Sequence, residues 1–275
     1  MLRGLYTAAT AMLAKSRQMD VVTNNLVNAE TTGFRQDTLV TTPFKDVLMS
    51  RLNDPSVYQY RNVGMHNFGM HIDQVYTSFT PGALTETGNY TDLALPGEGF
   101  FVVEYTPPAI ARDEEADEYP EPELRYTRAG NFAVDGDGYL VTPNGCYVQG
   151  QNGAIEVGTS AFAVDGEGNI SVDGQVIDTL RVVRFEDTSV LRKAGDNLLR
   201  VYTTVDEYGD EVPAGEEPED ITPVIRQGFL EASNVDIARE TVRMMEVFRS
   251  YEINQRIIQL YDQSLGQTVN DIARF

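Results

Sequence analysis

An apolar or aromatic residue recurs at every seventh position through the last part of the chain. Such a period predicts a helix that buries one narrow seam against another helix. The first residues repeat the pattern at the same spacing. The two rows are Leu5, Met12, Met19 and Leu26 near the start, and Ile237, Met244, Tyr251, Ile258, Leu265 and Ile272 near the end. Seam-bearing helices at opposite ends of one chain favour a subunit of an assembly over an enzyme.

Proline and glycine divide the chain into a helical start, a β-type middle and a helical end. All 12 prolines lie between Pro43 and Pro223, and glycine is similarly rare near both ends. Because proline breaks helices and glycine weakens them, we expect one helix over about residues 3–28 and a second over about 234–272. The first helix would end in the run Asn28-Ala-Glu-Thr-Thr-Gly33, where Asn24, Asn25 and Asn28 would satisfy backbone groups.

The second predicted helix is longer than the rest of the chain can cover. It would start in a capping-box-like pattern at Ser233 and Asp236 and extend for about 58 Å at 1.5 Å per residue. A compact body of the remaining size is only about 40 Å across. The second row of this helix is mixed, because Phe248 is followed by Gln255 and Asp262. A partly polar seam fits a tube in which each helix meets several neighbours, although an ordinary intramolecular core is the alternative.

The middle of the chain consists of short β-type runs separated by glycine-rich turns. Leu93–Leu95 and Phe100–Glu104 flank a Pro-Gly-Glu-Gly turn, which predicts a hairpin. Residues 132–140 return almost unchanged at 162–170, and each copy predicts a strand, an Asp-Gly turn and a second strand. These runs predict an antiparallel β domain.

The complete pattern predicts an α+β protein. Residues 1–33 and 228–275 would pair as a discontinuous helical domain, and residues 76–227 would form a central antiparallel β-rich domain. Residues 34–75 would connect the two as an extended segment, with a short amphipathic helix over Phe44–Leu52.

The formal net charge of -21 argues against a nucleic-acid partner. Seven acids lie in residues 113–123 and eight in residues 206–220, and neither stretch contains Lys or Arg. Without these 15, 27 acids face 21 basic residues. We expect two solvated acidic loops, with an acidic patch for cations or a basic partner as the alternative.

Membrane insertion and secretion by a signal peptide are not expected. No apolar run approaches the roughly 20 residues needed to span a bilayer. The first 17 residues make a poor secretory signal, because Arg3 alone supplies the basic region and polar residues interrupt the apolar one.

Two acidic turns superficially resemble calcium loops. Asp135-Gly-Asp137-Gly and Asp165-Gly-Glu167-Gly would need flanking helices and further oxygen ligands, whereas strands are expected on both sides. Tight hairpin turns are therefore favoured.

The remaining residues with metal-binding or nucleophilic chemistry form no convincing site. His66 and His71 are five residues apart and do not share the helical face that zinc ligands use. The single cysteine, Cys146, cannot form an internal disulfide and is expected in the core or in a turn. No Gly-x-Ser-x-Gly elbow suggests a hydrolase, so an enzyme is the least favoured interpretation.

Several motifs resemble one family, the axial proteins of the bacterial flagellar rod and hook. The motifs are Asp20-Val-Val-Thr-Asn-Asn-Leu-Val-Asn28, Thr31-Thr-Gly-Phe34, Gly82-Ala-Leu-Thr-Glu-Thr-Gly88, Asp92-Leu-Ala-Leu, Gly99-Phe-Phe-Val-Val, Tyr126-Thr-Arg-Ala-Gly130, Gly228-Phe-Leu-Glu-Ala-Ser-Asn-Val-Asp236 and Arg249-Ser-Tyr-Glu-Ile-Asn254. They occur in the family's order over most of the chain. The positions carried over from the terminal motifs are Asn24, Asn25, Asn28, Thr32, Gly33, Ser233, Asn234 and Asp236.

The resemblance implies a structural role without catalytic residues, cofactor or metal. Proteins of this family are exported by the flagellar type III apparatus without a cleaved signal peptide. They polymerise helically with copies of themselves and with other rod and hook proteins, with terminal helices in an inner tube. The length and the segment 44–52 most resemble the distal rod type, with a proximal rod or hook-type subunit as the alternative. The rival from another class is an extracellular acidic β protein that binds calcium or carbohydrate.

Overall fold

A computed structural model describes residues 2–51, 61–107, 122–158, 162–205, 211–213 and 218–272 of the 275-residue chain. It contains a helix near each end and a strand-rich region between them, which confirms the α+β class. The chain divides into two compact units. The helical unit comprises residues 1–27, 37–76 and 236–275, and the β unit comprises residues 28–36 and 77–235.

The two helices are α1 (Leu2–Val27) and α2 (Ile237–Ile272). Their ends lie within about three residues of the predicted ones, because the proline-free stretches leave no earlier stop. The 36 residues of α2 span about 54 Å. The chain leaves α1 through a turn at residues 28–33, where Gly33 adopts a positive φ of 67°.

Four strands complete the helical unit: β1 (Asp37–Pro43), β2 (Val47–Arg51), β3 (Arg61–His66) and β4 (Met70–Thr77). β1 pairs with β4, and β2 pairs with β3 in antiparallel register. The short helix predicted over residues 44–52 is therefore wrong, since 47–51 form a strand. A segment of that length is too short for an independently stable helix, and pairing with β3 gives its backbone groups partners.

The β unit holds eighteen short strands among the described residues and one 3₁₀ turn (Thr188–Val190). The strands are β5 (Leu84–Glu86), β6 (Leu93–Ala94), β7 (Phe100–Tyr105), β8 (Glu123–Thr127), β9 (Ala133–Val134), β10 (Leu140–Val141), β11 (Tyr147–Val148), β12 (Ala163–Val164), β13 (Asn169–Val172), β14 (Gln175–Thr179), β15 (Val182–Arg184), β16 (Leu191–Gly195), β17 (Leu198–Val201), β18 (Thr203–Val205), β19 (Glu211–Pro213), β20 (Glu219–Ile221), β21 (Arg226–Gln227) and β22 (Phe229–Glu231).

The main sheet of the β unit has the strand order β16-β17-β8-β7-β11-β10-β9, with β15 also paired to β7 and to β20. Its strand pairs are antiparallel. β7 lies at its centre and is buried on both faces, because Phe101 and Val103 join one apolar cluster while Phe100 and Val102 join another. An uninterrupted apolar run such as Phe100-Phe-Val-Val fits a strand covered on both sides.

The hairpin predicted between residues 93–95 and 100–104 is wrong. β6 pairs with β21, and β7 pairs with β8, β11 and β15. The loop between them wraps around the guanidinium group of Arg128, which donates hydrogen bonds to the carbonyls of Leu95 (2.9 Å), Gly97 and Gly99. These carbonyls point at a buried cation, so the loop does not close a two-strand turn.

Both copies of the internal repeat form the predicted hairpins, β9 with β10 and β12 with β13. In each turn the first aspartate accepts backbone N–H groups of its own loop, as in Glu167 N–H to Asp165 Oδ1 at 2.9 Å. Hydrogen bonds from the side chain and backbone of Asn169 hold the pKa of Asp165 below its usual value. The carboxylate therefore closes the turn. The positive φ falls on the second glycine, Gly138 or Gly168.

The remaining isolated residues have ordinary structural positions. Cys146 is buried in the larger apolar cluster of the β unit, as expected for a core residue. His71 contacts the hydroxyl group of Thr42 at 3.0 Å, and the ring of His66 packs edge-on against Phe68. Most of the two acidic stretches, 113–121 together with 206–210 and 214–217, lies outside the described residues.

Candidate functional site

The two terminal helices pack against each other in opposite directions within the helical unit. Near the start of α1, a Cβ on Gly4 would lie 2.1 Å from the hydroxyl oxygen of Tyr261, so only glycine fits at that approach. At the other end of α1, Asn25 Nδ2 lies 3.4 Å from Glu240 Oε2 in the first turn of α2. The two contacts pair the start of each helix with the later part of the other.

The predicted seam residues are mostly half-buried in this helix pair. The half-buried ones are Leu5, Met12, Met19, Leu26, Met244, Tyr251, Ile258 and Leu265. Ile237 and Phe248 are about half exposed, at 49% and 50%, and the side chain of Ile272 lies outside the described ones. Surface left open on these residues is available to other chains, so their role in assembly stays a prediction.

The deepest contacts of the pair come from small residues that the seven-residue rows did not single out. Ala8, Ala14 and Val22 of α1 and Val247 of α2 are almost completely buried. Alanine lets helix backbones approach closely, which explains why larger seam residues stay at the margin. The available signal was the alternation of alanine with long side chains in residues 8–14.

Large apolar side chains remain exposed on both helices. They are Tyr6, Leu13 and Val27 on α1, and Val242, Met245, Ile253, Leu260 and Val269 on α2 together with Ile237 and Phe248. Such an exposed apolar surface is typical of an interaction site.

Asn25 fixes the chain where β1 begins. Its side chain is fully buried, donates to the carbonyl of Asp37 (2.8 Å) and accepts from the N–H of the same residue (2.9 Å). The amide therefore pairs with Asp37 as a neighbouring strand would. Glu240, also fully buried, lies 3.3 Å from Arg243.

Asp236, not Ser233, caps α2. The Oδ1 atom of Asp236 accepts the N–H of Arg239 at 3.1 Å, and α2 starts at the next residue, Ile237. Ser233 instead accepts the N–H of Val235 at 3.3 Å. The capping-box prediction was three residues early because two consecutive local turns share the same residue types.

Replacing Asp236 with alanine is expected to lower the opening free energy of the first turn of α2 by about 1 kcal/mol, because a backbone donor loses its partner. Amide hydrogen exchange at residues 239–242 measures this directly. Ser233→Ala is the matched control and should leave those amides unchanged; a larger effect from Ser233 would restore the predicted cap.

In the β unit, the motif residues of the N-terminal turn are held by distant partners. The Gly33 N–H donates to the carbonyl of Glu231 (2.7 Å), and the Thr32 carbonyl accepts from Asn197 Nδ2 (2.7 Å). The carbonyl and side-chain oxygens of Asn28 accept from Thr31 at 3.2 Å. Asn24 is exposed on α1.

Gly33 also needs the absence of a side chain. At its φ of 67°, an added Cβ would lie 2.5 Å from the backbone nitrogen of Ala129. Gly33→Ala is expected to reduce the free energy of unfolding by about 2–4 kcal/mol, measured by urea denaturation. The control is Gly145→Ala, which has φ 81° but no atom within 4 Å of the added Cβ and should cost about 1 kcal/mol. Equal losses would remove the argument from close packing.

Asn234 joins two further segments of the β unit. Its Oδ1 accepts the N–H of Gln36 (2.7 Å), and its Nδ2 donates to the carbonyls of Ser78 (2.9 Å) and Thr80 (3.1 Å). One side chain thus satisfies three backbone groups from two stretches of chain.

A buried ion cluster, which we call the Glu231 junction, lies next to these contacts. Glu231 binds Arg35 through Oε1 (2.7 Å) and Arg128 through Oε2 (2.6 Å), and the N–H of Gly82 also donates to Oε1 (2.8 Å). The three side chains are 2–4% exposed. Burial lowers the pKa of Arg35, against the opposing effect of Glu231, and Arg128 lowers it further.

The Glu231 junction brings together segments that the sequence showed only as separate motifs. Arg35 follows Thr31–Phe34, Arg128 is the centre of Tyr126–Gly130, and Glu231 lies within Gly228–Asp236. Sequence reasoning assigned none of the three a role. The available signal was a charged residue inside an otherwise small and apolar motif.

The described residues offer little chemistry beyond structure and contact. No group of three or more His, Cys, Asp or Glu side chains among them could hold a metal ion. Within the same part of the chain, no helix is both long and apolar enough to cross a membrane.

Joined terminal helices and a junction built from terminal and central motifs define a structural class of subunit, and three family descriptions match the chain in this order. "Flagella basal body rod protein" matches residues 5–35, "Flagellar hook protein FlgE/F/G D1 domain" residues 116–177, and "Flagellar basal body rod FlgEFG protein C-terminal" residues 226–272.

Whole-length relatives agree. The chain is 30% identical to the flagellar hook-basal body complex protein FlhO of Bacillus subtilis (strain 168), with all of both chains covered. It is 30% identical to the flagellar basal-body rod protein FlgG of the same organism, over 98% of this chain and 99% of the relative. It is 31% identical to the flagellar basal-body rod protein FlgF of Caulobacter vibrioides, over 90% and 89%. The chain belongs to the flagellar rod and hook axial family, as its motifs indicated.

Proposed function

We propose that this protein is a distal-type subunit of the flagellar basal-body rod. Copies assemble helically through the terminal helices into the drive shaft that transmits torque to the hook. Membership of a family of flagellar structural proteins supports a mechanical, non-enzymatic role. The observation that carries the assembly step is the set of large apolar side chains left exposed on α1 and α2.

The proposed partners are copies of this chain, other rod and hook axial proteins, and the flagellar type III export apparatus. We place the protein in the basal body, reached without a cleaved signal peptide. Burial of each exposed large apolar side chain between copies would stabilise the polymer by about 1.5–3 kcal/mol. Several such residues per subunit make isolated copies a poor alternative to the polymer.

A proximal rod or hook-type subunit is the second candidate. It is supported by the similar identity, 30–31%, to relatives that carry different names. The segment 44–52, which suggested the distal type, forms part of the β2–β3 hairpin rather than a helix.

Electron microscopy of basal bodies isolated from a deletion strain tests the proposal. A distal-type subunit predicts a rod that starts normally and stops short of the hook. A rod missing from its base would favour the proximal type. A complete rod and hook would contradict both.

The calcium-binding rival predicts a different result. Because Asp135 and Asp165 are occupied by the backbone N–H groups of their own turns, we expect no specific heat in a calorimetric titration with calcium. Asp165→Asn is the matched variant, which should titrate like the unaltered protein. Saturable binding that this variant abolishes would contradict the structural interpretation of the turns.

A further inference from the structure

Three arginines stand in one cross-strand row on the main sheet of the β unit, although the chain as a whole carries a formal charge of -21. Arg192 of β16 is in register with Arg200 of β17. The pairing of Leu198 with Thr127 and of Leu199 with Tyr126, continued by one residue, places Arg200 opposite Arg125 of β8. Directly opposed residues point to the same face, so the row spans three strands over about 10 Å. We call it the arginine row.

The arginine row lies beyond the apolar core and is not neutralised by its surroundings. Among the described residues, neither Arg192 nor Arg200 is within ion-pair distance of a carboxylate, and Arg200 is exposed. Arg125 lies 3.4 Å from the exposed carboxylate of Glu123. Like charges directly opposite one another destabilise a sheet, so three arginines in one row need an external reason.

Aromatic rings hold two of the guanidinium groups in place. Arg125 lies 3.4 Å above the ring centroid of Tyr105, and Arg192 lies 5.5 Å from that of Tyr202. Stacking on a ring orients the planar guanidinium and leaves its edge available to carboxylates. The row is therefore a partly preorganised site for acidic groups.

We propose that the arginine row receives the acidic stretch 113–123 of a second copy of this chain. The inference rests on the proposed function, since it requires that copies pack side by side. Subunits of this net charge repel one another unless cations of one copy meet anions of the next. The other acidic stretch is partly committed within its own chain, because Glu219 pairs with Arg184 and Asp220 with Arg181. The stretch 113–123, with seven acids, supplies the complementary charge.

Sedimentation of the full-length protein at low and high salt measures the contact. Arg200→Glu is expected to raise the concentration required for assembly about tenfold and to flatten its dependence on salt. Arg184→Glu is the matched control, because Arg184 is an exposed arginine of the same sheet outside the row, and it should change the concentration less than twofold.

A charge exchange decides whether the contact joins two copies. Glu114→Lys with Glu115→Lys should impair assembly alone, and mixing this variant with Arg200→Glu should lower the required concentration at least threefold relative to either. Rescue only when all three substitutions share one chain would overturn the proposal in favour of a contact within the chain. Assembly of Arg200→Glu at the unaltered concentration would overturn the row alone. Failure of the unaltered protein to assemble would overturn the proposed function and the row together.

Discussion

Glu231→Gln is expected to lower the melting temperature of the β unit by about 10 °C. The substitution keeps the shape of the side chain but removes the only carboxylate that the structure places against both Arg35 and Arg128. Two buried guanidinium groups would then face each other without an anion, and breaking such a cluster costs about 3–5 kcal/mol. For a unit of this size each kcal/mol corresponds to about 2–4 °C.

Calorimetry of Glu231→Gln beside Glu219→Gln provides the comparison. Glu219 pairs with Arg184 at 3.0 Å but is 69% exposed, so its loss should cost less than about 1 kcal/mol. Equal shifts for the two variants would show that the Glu231 junction contributes no more than a surface pair.

Ile258→Asp is expected to abolish rod assembly while leaving the β unit folded. Ile258 lies half-buried in α2, in the predicted seam. A carboxylate there must either stay hydrated, which holds neighbouring chains apart, or become buried without a partner at a cost of several kcal/mol. Copies repeat the same contact along a polymer, so the penalty recurs at every subunit.

Two measurements separate assembly from folding in this variant. Motility and electron microscopy report on the rod, and thermal unfolding of the purified protein reports on the β unit. Ile258→Val keeps an apolar side chain and should assemble normally. Unfolding of the β unit in Ile258→Asp, or normal rods, would mean that the seam is ordinary core or has no role.

Local patterns predicted much of the architecture. The absence of proline from both ends located α1 and α2 to within a few residues, and the repeated Asp-Gly turns located two hairpins. These elements depend on residues close together in sequence, so a single stretch carries the information. The motifs also located Asn25, Gly33 and Asn234, although not what their side chains bind.

The wrong predictions all concern choices between local alternatives that distant residues decide. The 93–104 segment has the composition of a hairpin, but Arg128 occupies its loop and β21 pairs with β6. The 44–52 segment has helical spacing, but β3 offers hydrogen bonds to its backbone. Asp236 rather than Ser233 caps α2, since the turn before it uses the serine.

By itself, the sequence determined the class of the fold, the two helices, the repeated turns and the family. Only the tertiary structure decided which motifs meet. Arg35 and Glu231 are 196 residues apart and Asn25 and Glu240 are 215 apart, yet each pair is in contact and buried. The physical reason is that a buried charge or amide is stable only where distant segments supply its partners, and one stretch of sequence does not name them.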